Sequence, residues 1–185
     1  RTLYETAQAV VQATDREGLE AEICRRLAAS DDYRFAWIGV QEDDDSVVPR
    51  AYCDEGKSYL ERVRVTVDQT PTGRGPTGRA LKTDSVVTVQ NVAEDPRIEP
   101  WRDVLSSYDV RASAAVPIRD DGRTFGVLNL YTNRRDAFAD EEQEILASLG
   151  RTIGRAITGF RAREEVQLFR QAVEHAGHAI YITDN

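Results

Sequence analysis

The sequence predicts an α+β fold, with one antiparallel sheet of five or six strands and the N-terminal and C-terminal helices packed on one of its faces. Three observations carry that prediction. Short apolar runs follow one another through turns instead of alternating with helices. The turn Asp120-Asp121-Gly122-Arg123 joins two such runs, and Asp-Gly is the pair that tolerates the positive φ of a tight hairpin. Long helical periodicity occurs only at the two ends, with short helices inserted midway.

Residues 2–13 place Leu3, Ala7, Val10 and Val11 on one helical face. Thr14 with Glu17 reads as a capping box opening a second helix, which carries Leu19, Ile23 and Leu27 and ends near Ser30-Asp31-Asp32. Residues 35–41 read as a buried strand, followed by the acidic turn Asp43-Asp44-Asp45 and a strand over 46–53. Pro49 assigns that strand to an edge or a bulge. A helical turn over 57–61 precedes 62–67, whose clean alternation predicts a third strand. A Gly/Pro/Thr loop over 68–76 leads into a helix over 77–83 and a strand over 86–90. A short helix is expected over 101–107 and strands over 111–118 and 124–132.

Asp140-Glu141-Glu142 opens the exit helix, with acids at its positive end. Leu146, Leu149, Ile153, Ala156 and Phe160 step 3-4-3-4, a seam suited to pairing with another helix and so to a homodimer through the terminal helices. The helix is expected to run to about 174 and break at Ala176-Gly177, with 179–183 beginning a new strand.

Composition narrows the function. Hydrophobic residues make up 41% of the 185, enough for a core. No apolar run reaches the length of a membrane span, no secretory leader is visible, and no membrane partner is expected. The chain opens on Arg1 and contains no methionine, which reads as a segment excised from a longer protein. Its net charge of -8 repels phosphate backbones, so no direct nucleic-acid binding is expected. Lys57 and Lys82 are the only lysines among 24 basic residues, against 32 acids, a balance suited to a halophile or a GC-rich genome. Cys24 and Cys53 make no disulfide framework and read as buried free thiols of a reducing cytoplasm.

The motifs favour binding over catalysis. Gly73, Gly75 and Gly78 have G-x-G-x-x-G spacing, with Glu94 and Asp95 about 20 residues on. The helix that follows is too short for a parallel crossover, and the flanks are hairpin-rich. The loop reads instead as a turn feeding a helix, where Thr77 and Gly78 can offer backbone donors to an anionic part of a ligand. No catalytic triad, metalloprotease or nucleotide-binding motif occurs, so no catalytic residues are assigned. His175 and His178 lie three apart without a third ligand, so no metal site is assigned, and Asp43-Asp44-Asp45 reads as a solvated turn. Tyr52, Trp101, Tyr108, Ser113 and Asn129 complete the set expected to line a pocket.

Several of these pieces resemble a GAF domain, a fold related to PAS: the helix pair 2–29, YRFAWIG over 33–39, PTGRGPTGRAL over 71–81, VVTVQNV over 86–92, DPRIEPWR over 95–102, SAAVPI over 113–118, GVLNLYT over 126–132 and AFADEEQEILASL over 137–149. The resemblance covers 1–163. Residues 164–185 look like a continuing signalling helix and the truncated start of a PAS domain, from Phe169–Glu174 to Ala179–Asp184. This order implies a cytoplasmic sensory module in a two-component histidine kinase or a bacterio-opsin-activator-like transcription regulator of haloarchaea. The resemblance implies a pocket between the sheet and the crossover 68–108, a small-molecule ligand of unknown identity, no named cofactor, and relay through the C-terminal helix. The other reading is a dimerisation and relay module without a ligand. The cyclic-nucleotide signature is poorly matched by Asn133-Arg134 and by Phe138-Ala139-Asp140-Glu141; bilin attachment lacks its histidine in the GAF part; and two distant cysteines do not supply the set of the methionine-sulfoxide-reducing relatives. Enzyme activity is therefore not expected of this segment.

Overall fold

The computed structural model describes residues 2–183. Two helices, α1 (Thr2–Gln12) and α2 (Arg16–Ala28), lead into β1 (Phe35–Gln41) and β2 (Val47–Tyr52). Helix α3 (Asp54–Leu60), a 3-10 turn over Pro71–Gly73 and α4 (Pro76–Thr83) then precede β3 (Val87–Val89). A second 3-10 stretch, Pro96–Trp101, runs into α5 (Arg102–Ser107), and the chain continues through β4 (Ala112–Asp120), β5 (Arg123–Thr132) and α6 (Asp140–Thr183). The five strands form one antiparallel sheet in the order β2-β1-β5-β4-β3.

The sheet is covered on both faces, which is why the central strands read as unbroken apolar runs. On one face Ala36, Ile38, Val116, Leu128 and Leu130 pack with Leu19, Ile23 and Leu27 of α2 and with α6. On the other, Phe35, Trp37, Ala115, Val127 and Tyr131 lie beneath the crossover segments between β2 and β4. The β4–β5 turn has Asp121 at φ 45 and Gly122 at φ 73, both in the left-handed region, as the Asp-Gly pair predicts. Pro49 sits on the edge strand β2 beside a register shift at Ile38/Gly39, so it occupies an edge and a bulge at once.

Four expectations are corrected. The second helix is capped by Asp15, whose Oδ1 accepts from the Gly18 amide at 2.8 Å, one residue later than the Thr14 box. Residues 62–67 are not a sheet strand. They touch the β1–β2 hairpin through one bridge, Ser46 to Thr66, and two flanking backbone bonds. Their alternation records an extended chain with Val65 and Val67 buried beneath it, which gives period 2 without a ladder. Helix α6 passes through Ala176-Gly177 and is still helical at Thr183, where a strand was expected. A strand needs a neighbour to satisfy its backbone, whereas a helix satisfies its own, and an interior glycine costs only about 1 kcal/mol. Asp184, the end of the PAS-like tail, lies outside the described residues.

The fourth correction concerns the helix seam. Leu146, Leu149, Ile153 and Phe160 are buried in the core under α6, and Ala156 packs against it half-buried. That stripe is the domain's own attachment to its sheet, and side chains already covered by β4 and β5 are not free to pair with a second helix. Among the described residues, no helix is long and apolar enough to cross a membrane.

Candidate functional site

The crossover face of the sheet encloses a cavity of about 20 Å³. Its floor comes from β4 and β5. Ala115 pairs with Asn129 and Ser113 with Tyr131, so these four residues share one face, with Ser113 and Asn129 diagonal neighbours. Thr77, in the first turn of α4, reaches down to this floor: its Oγ1 donates to Asn129 Oδ1 at 2.7 Å. Among the described residues the Asn129 Nδ2 has only the Val127 carbonyl, at 3.4 Å. The Ser113 hydroxyl is buried at the cavity wall and has no hydrogen-bond partner among the described residues.

Aromatic rings make the wall. Phe35 stacks on Tyr131 with centroids 4.3 Å apart, and Tyr59 of α3 meets both rings. Trp37 Nε1 donates to the Tyr131 hydroxyl at 3.2 Å. Burial pushes the Tyr59 phenol well above its ordinary pKa, with Tyr131 beside it adding to the effect. Burial likewise raises Tyr131, against hydrogen bonds from Trp37 and Tyr59 that lower it. Both phenols are neutral at physiological pH, and among the described residues no Asp, Glu, Lys, Arg or His lines the cavity. The arrangement offers hydrogen bonds and apolar surface but no charge.

The roof is held by Trp101, whose Nε1 donates to the Arg64 carbonyl at 2.9 Å, with Ile98 and Leu105 beside it. The glycine-rich loop exists for this packing. A Cβ on Gly75 would lie 2.4 Å from the Trp101 ring, one on Gly73 2.1 Å from the Asp68 carbonyl, and one on Gly78 2.4 Å from the Gly73 carbonyl. Close approach of the chain to itself, with no left-handed φ at any of the three, accounts for the G-x-G-x-x-G spacing.

Of the sequence-predicted set, Thr77, Trp101, Ser113 and Asn129 converge on the cavity. Gly78 lies against backbone beside it. Tyr108 closes the cluster from outside, its ring edge-on to Phe35 at 5.7 Å and its hydroxyl 2.6 Å from Ser58 Oγ. Tyr52 is misplaced: it ends the edge strand, half exposed, in an outer groove with Arg25, Cys53 and Asn133. Tyr59 and Tyr131 were not assigned to the site. Period 2 from Asn129 points to Tyr131, whereas nothing in the sequence of the helical turn points to Tyr59.

Neither cysteine lines the cavity. Cys24 is buried under α2, where burial pushes its thiol far up, and Cys53 caps α3, half-buried. Among the described residues no cluster of three or more His, Cys, Asp or Glu has a metal-binding arrangement, and His178 Nδ1 lies 3.0 Å from the Glu174 carbonyl of its own helix.

Residues 13–158 match the family model described as "GAF domain". The chain is 29% identical over 170 residues to the bacterioopsin transcriptional activator of Halobacterium salinarum, covering 89% of this chain and 23% of that protein. It is 26% identical over 175 residues to the sensor histidine kinase YhcY of Bacillus subtilis, covering 90% of this chain and 44% of that one. The chain thus spans less than half the length of either curated relative. Among solved structures it resembles the GAF domain of a phosphoenolpyruvate-protein phosphotransferase from Coxiella burnetii, with TM-score 0.68, 19% identity, and coverage of 89% of this chain and 95% of that one. It also resembles the free methionine-R-sulfoxide reductase of Neisseria meningitidis in complex with its substrate, with TM-score 0.67, 20% identity, and coverage of 88% and 89%. At these identities the structural likeness establishes the fold alone.

Proposed function

The chain belongs to the GAF domain family, and from that membership we propose that it is the sensory module of a longer cytoplasmic regulator, binding a small uncharged molecule beneath the crossover roof and relaying the change through α6. The observation that carries the ligand half is the orphaned Ser113 hydroxyl beside the Thr77–Asn129 pair. An unsatisfied buried polar group costs about 1–3 kcal/mol, which a ligand with a hydrogen-bonding group would recover. The aromatic wall and the lack of charge select a neutral, partly apolar molecule.

At about 20 Å³ the cavity holds one water, so binding requires the roof around Trp101 to lift. That movement is the differential between bound and free states that a relay needs. The likeness to a histidine kinase and a transcriptional activator supports a regulatory parent, and the halobacterial relative together with the acid-rich, lysine-poor composition supports a haloarchaeal source.

A thermal-shift screen of neutral metabolites tests this. A specific ligand at about 100 times its dissociation constant adds roughly 2.7 kcal/mol of stability, and Ser113→Ala and Trp101→Ala each reduce that shift. A hit whose shift survives both substitutions places the ligand elsewhere. The small closed cavity favours a second reading, in which one water satisfies Ser113 and the domain relays between its neighbours without a ligand. A high-resolution structure with a single water there, and a screen without hits, would establish it.

A further inference from the structure

We propose that four arginines gathered around Phe125 bind a phosphate-class oxyanion of two or more charges, which on binding fastens α6 to the sheet. The site lies on the helix-covered face, apart from the crossover cavity. The binding is independent of whether that cavity takes a ligand; its regulatory meaning rests on the proposed relay through α6.

The four arginines come from four elements. Arg16 opens α2, Arg50 lies on β2, Arg123 opens β5 and Arg161 belongs to α6. Phe125 is their common centre. Arg161 Cζ lies 4.8 Å from its ring centroid and Arg123 Cζ 5.6 Å. Arg16 Nη2 donates to the Phe125 backbone carbonyl at 2.9 Å. Arg16 and Arg50 take one carboxylate oxygen each of Glu20, at 2.7 and 2.9 Å. The Phe125 side chain is itself buried, so it is a fixed platform. A guanidinium stacked on a ring is oriented by it and keeps its edge N–H groups for an acceptor.

The charges in this cluster do not balance. Glu20 is the buried acid, and it serves Arg16 and Arg50. Among the described residues, Arg123 and Arg161 have no carboxylate within ion-pair distance and donate no side-chain hydrogen bond. Burial, then the charges of Arg16, Arg123 and Arg50, lower the Arg161 pKa, while Glu164 acts in the opposite direction. Such an excess of positive charge is unexpected on a chain of net charge -8. Two unused forks suit the oxygens of a phosphate, which they can meet bidentately. A carboxylate brings a single charge and leaves part of the excess in place; a diphosphate brings enough for both forks.

The position of Arg161 gives the binding its consequence. It follows Phe160, the last buried residue of the seam that holds α6 on the sheet. Without an anion, like charges repel where the helix leaves the domain. An anion shared by Arg161 and Arg123 turns that repulsion into a tie between α6 and the β4–β5 hairpin. It therefore favours the docked arrangement of the helix by differential affinity.

Calorimetric titration of the 185-residue chain with sodium diphosphate at constant ionic strength tests this, together with thermal melting and hydrogen exchange. Diphosphate is expected to raise the melting temperature more than sodium chloride of equal ionic strength, and to slow amide exchange over 157–165. Arg123→Gln and Arg161→Gln each weaken binding about tenfold. Both variants keep the unliganded thermal transition or melt higher, since each loses a repelling charge. Arg161→Lys keeps the charge without the fork and loses part of the affinity. Arg74→Gln, on the crossover, leaves affinity unchanged. No calorimetric or melting response beyond that of chloride overturns the inference. So does binding indifferent to both glutamine substitutions, or binding that leaves exchange over 157–165 unchanged. Ser113→Ala is expected to bind diphosphate normally, which separates this site from the cavity. Absent diphosphate binding alongside an intact thermal shift by a neutral ligand would sink this inference and leave the cavity reading standing.

Discussion

Gly154 of α6 lies directly against Arg119 of β4: a Cβ on Gly154 would stand 2.1 Å from the Arg119 carbonyl oxygen. Gly150, one turn earlier, is as close to Pro117, at 2.3 Å from its carbonyl. Two glycines one turn apart let the helix backbone settle onto the strand. Helix propensity alone makes Gly154→Ala favourable by about 1 kcal/mol. The geometry reverses the sign, since the added methyl must push α6 off the sheet, and overpacking of this kind costs about 1–3 kcal/mol. Urea denaturation is expected to show that loss. Gly177→Ala, where a Cβ meets nothing within 4 Å, raises helix content by circular dichroism instead.

The 3-10 stretch before α5 is tied down by Asp95. Its carboxylate accepts from the Arg97 amide at 2.9 Å and from the Arg97 guanidinium, which also reaches the Thr88 carbonyl. The Arg97 hydrogen bonds hold the Asp95 carboxyl below its ordinary pKa. A folded-state pKa below the unfolded one contributes stability that is present above the unfolded value, near 4, and is lost as pH falls through the folded value. Melting temperature measured downward from pH 5 is expected to fall, and Asp95→Asn to flatten part of that acid limb. An unchanged acid limb in the variant refutes the assignment.

Thr77 and Asn129 form the buried hydrogen bond that fastens α4 to β5. Thr77→Val strands the Asn129 amide at a cost of about 1–3 kcal/mol. Combining it with Asn129→Leu costs less than the sum of the two single changes, and a double-mutant cycle by chemical denaturation measures the coupling. Ser113→Ala removes a hydroxyl that has no partner among the described residues, so it is neutral or stabilising in the unliganded chain.

Glu20 is a buried acid among the apolar buried residues Leu19, Ile23 and Cys24 of α2, its side chain 1% exposed. One carboxylate oxygen meets Arg16 Nε at 2.7 Å and the other Arg50 Nε at 2.9 Å, and Arg16 also donates to the Phe125 carbonyl. Glu20→Gln keeps the shape but removes the charge that both arginines share, and is expected to cost about 1.5–3 kcal/mol by denaturant titration. Glu22, partly exposed on the same helix, has its carboxyl lowered to about 2 by hydrogen bonds from Arg25 and Arg26. Its replacement changes stability little, because water competes for all three groups.

Residues on the same strand show how much of the site was legible. Asn129 stands out as polar among Val127, Leu128 and Leu130, and period 2 turns it toward the roof with Tyr131. Tyr52 carried the same chemical promise but sits where the edge strand ends, and a sequence does not mark which aromatic is covered. Nothing in the sequence marks Glu20 as buried, because its partners are four and thirty residues away, the more distant on β2.

Local chemistry in the chain itself determined most of the strands, the Asp121-Gly122 hairpin, the helices and the family, because periodicity and turn propensity act over a few residues. Tertiary structure alone decided which surfaces were used up. The regular seam from Leu146 to Phe160 was consumed by the sheet, residues 161–176 of the same helix were left in water, and the pocket closed to the size of one water. A side chain's pattern states that it will be buried; only the packed neighbours settle against what.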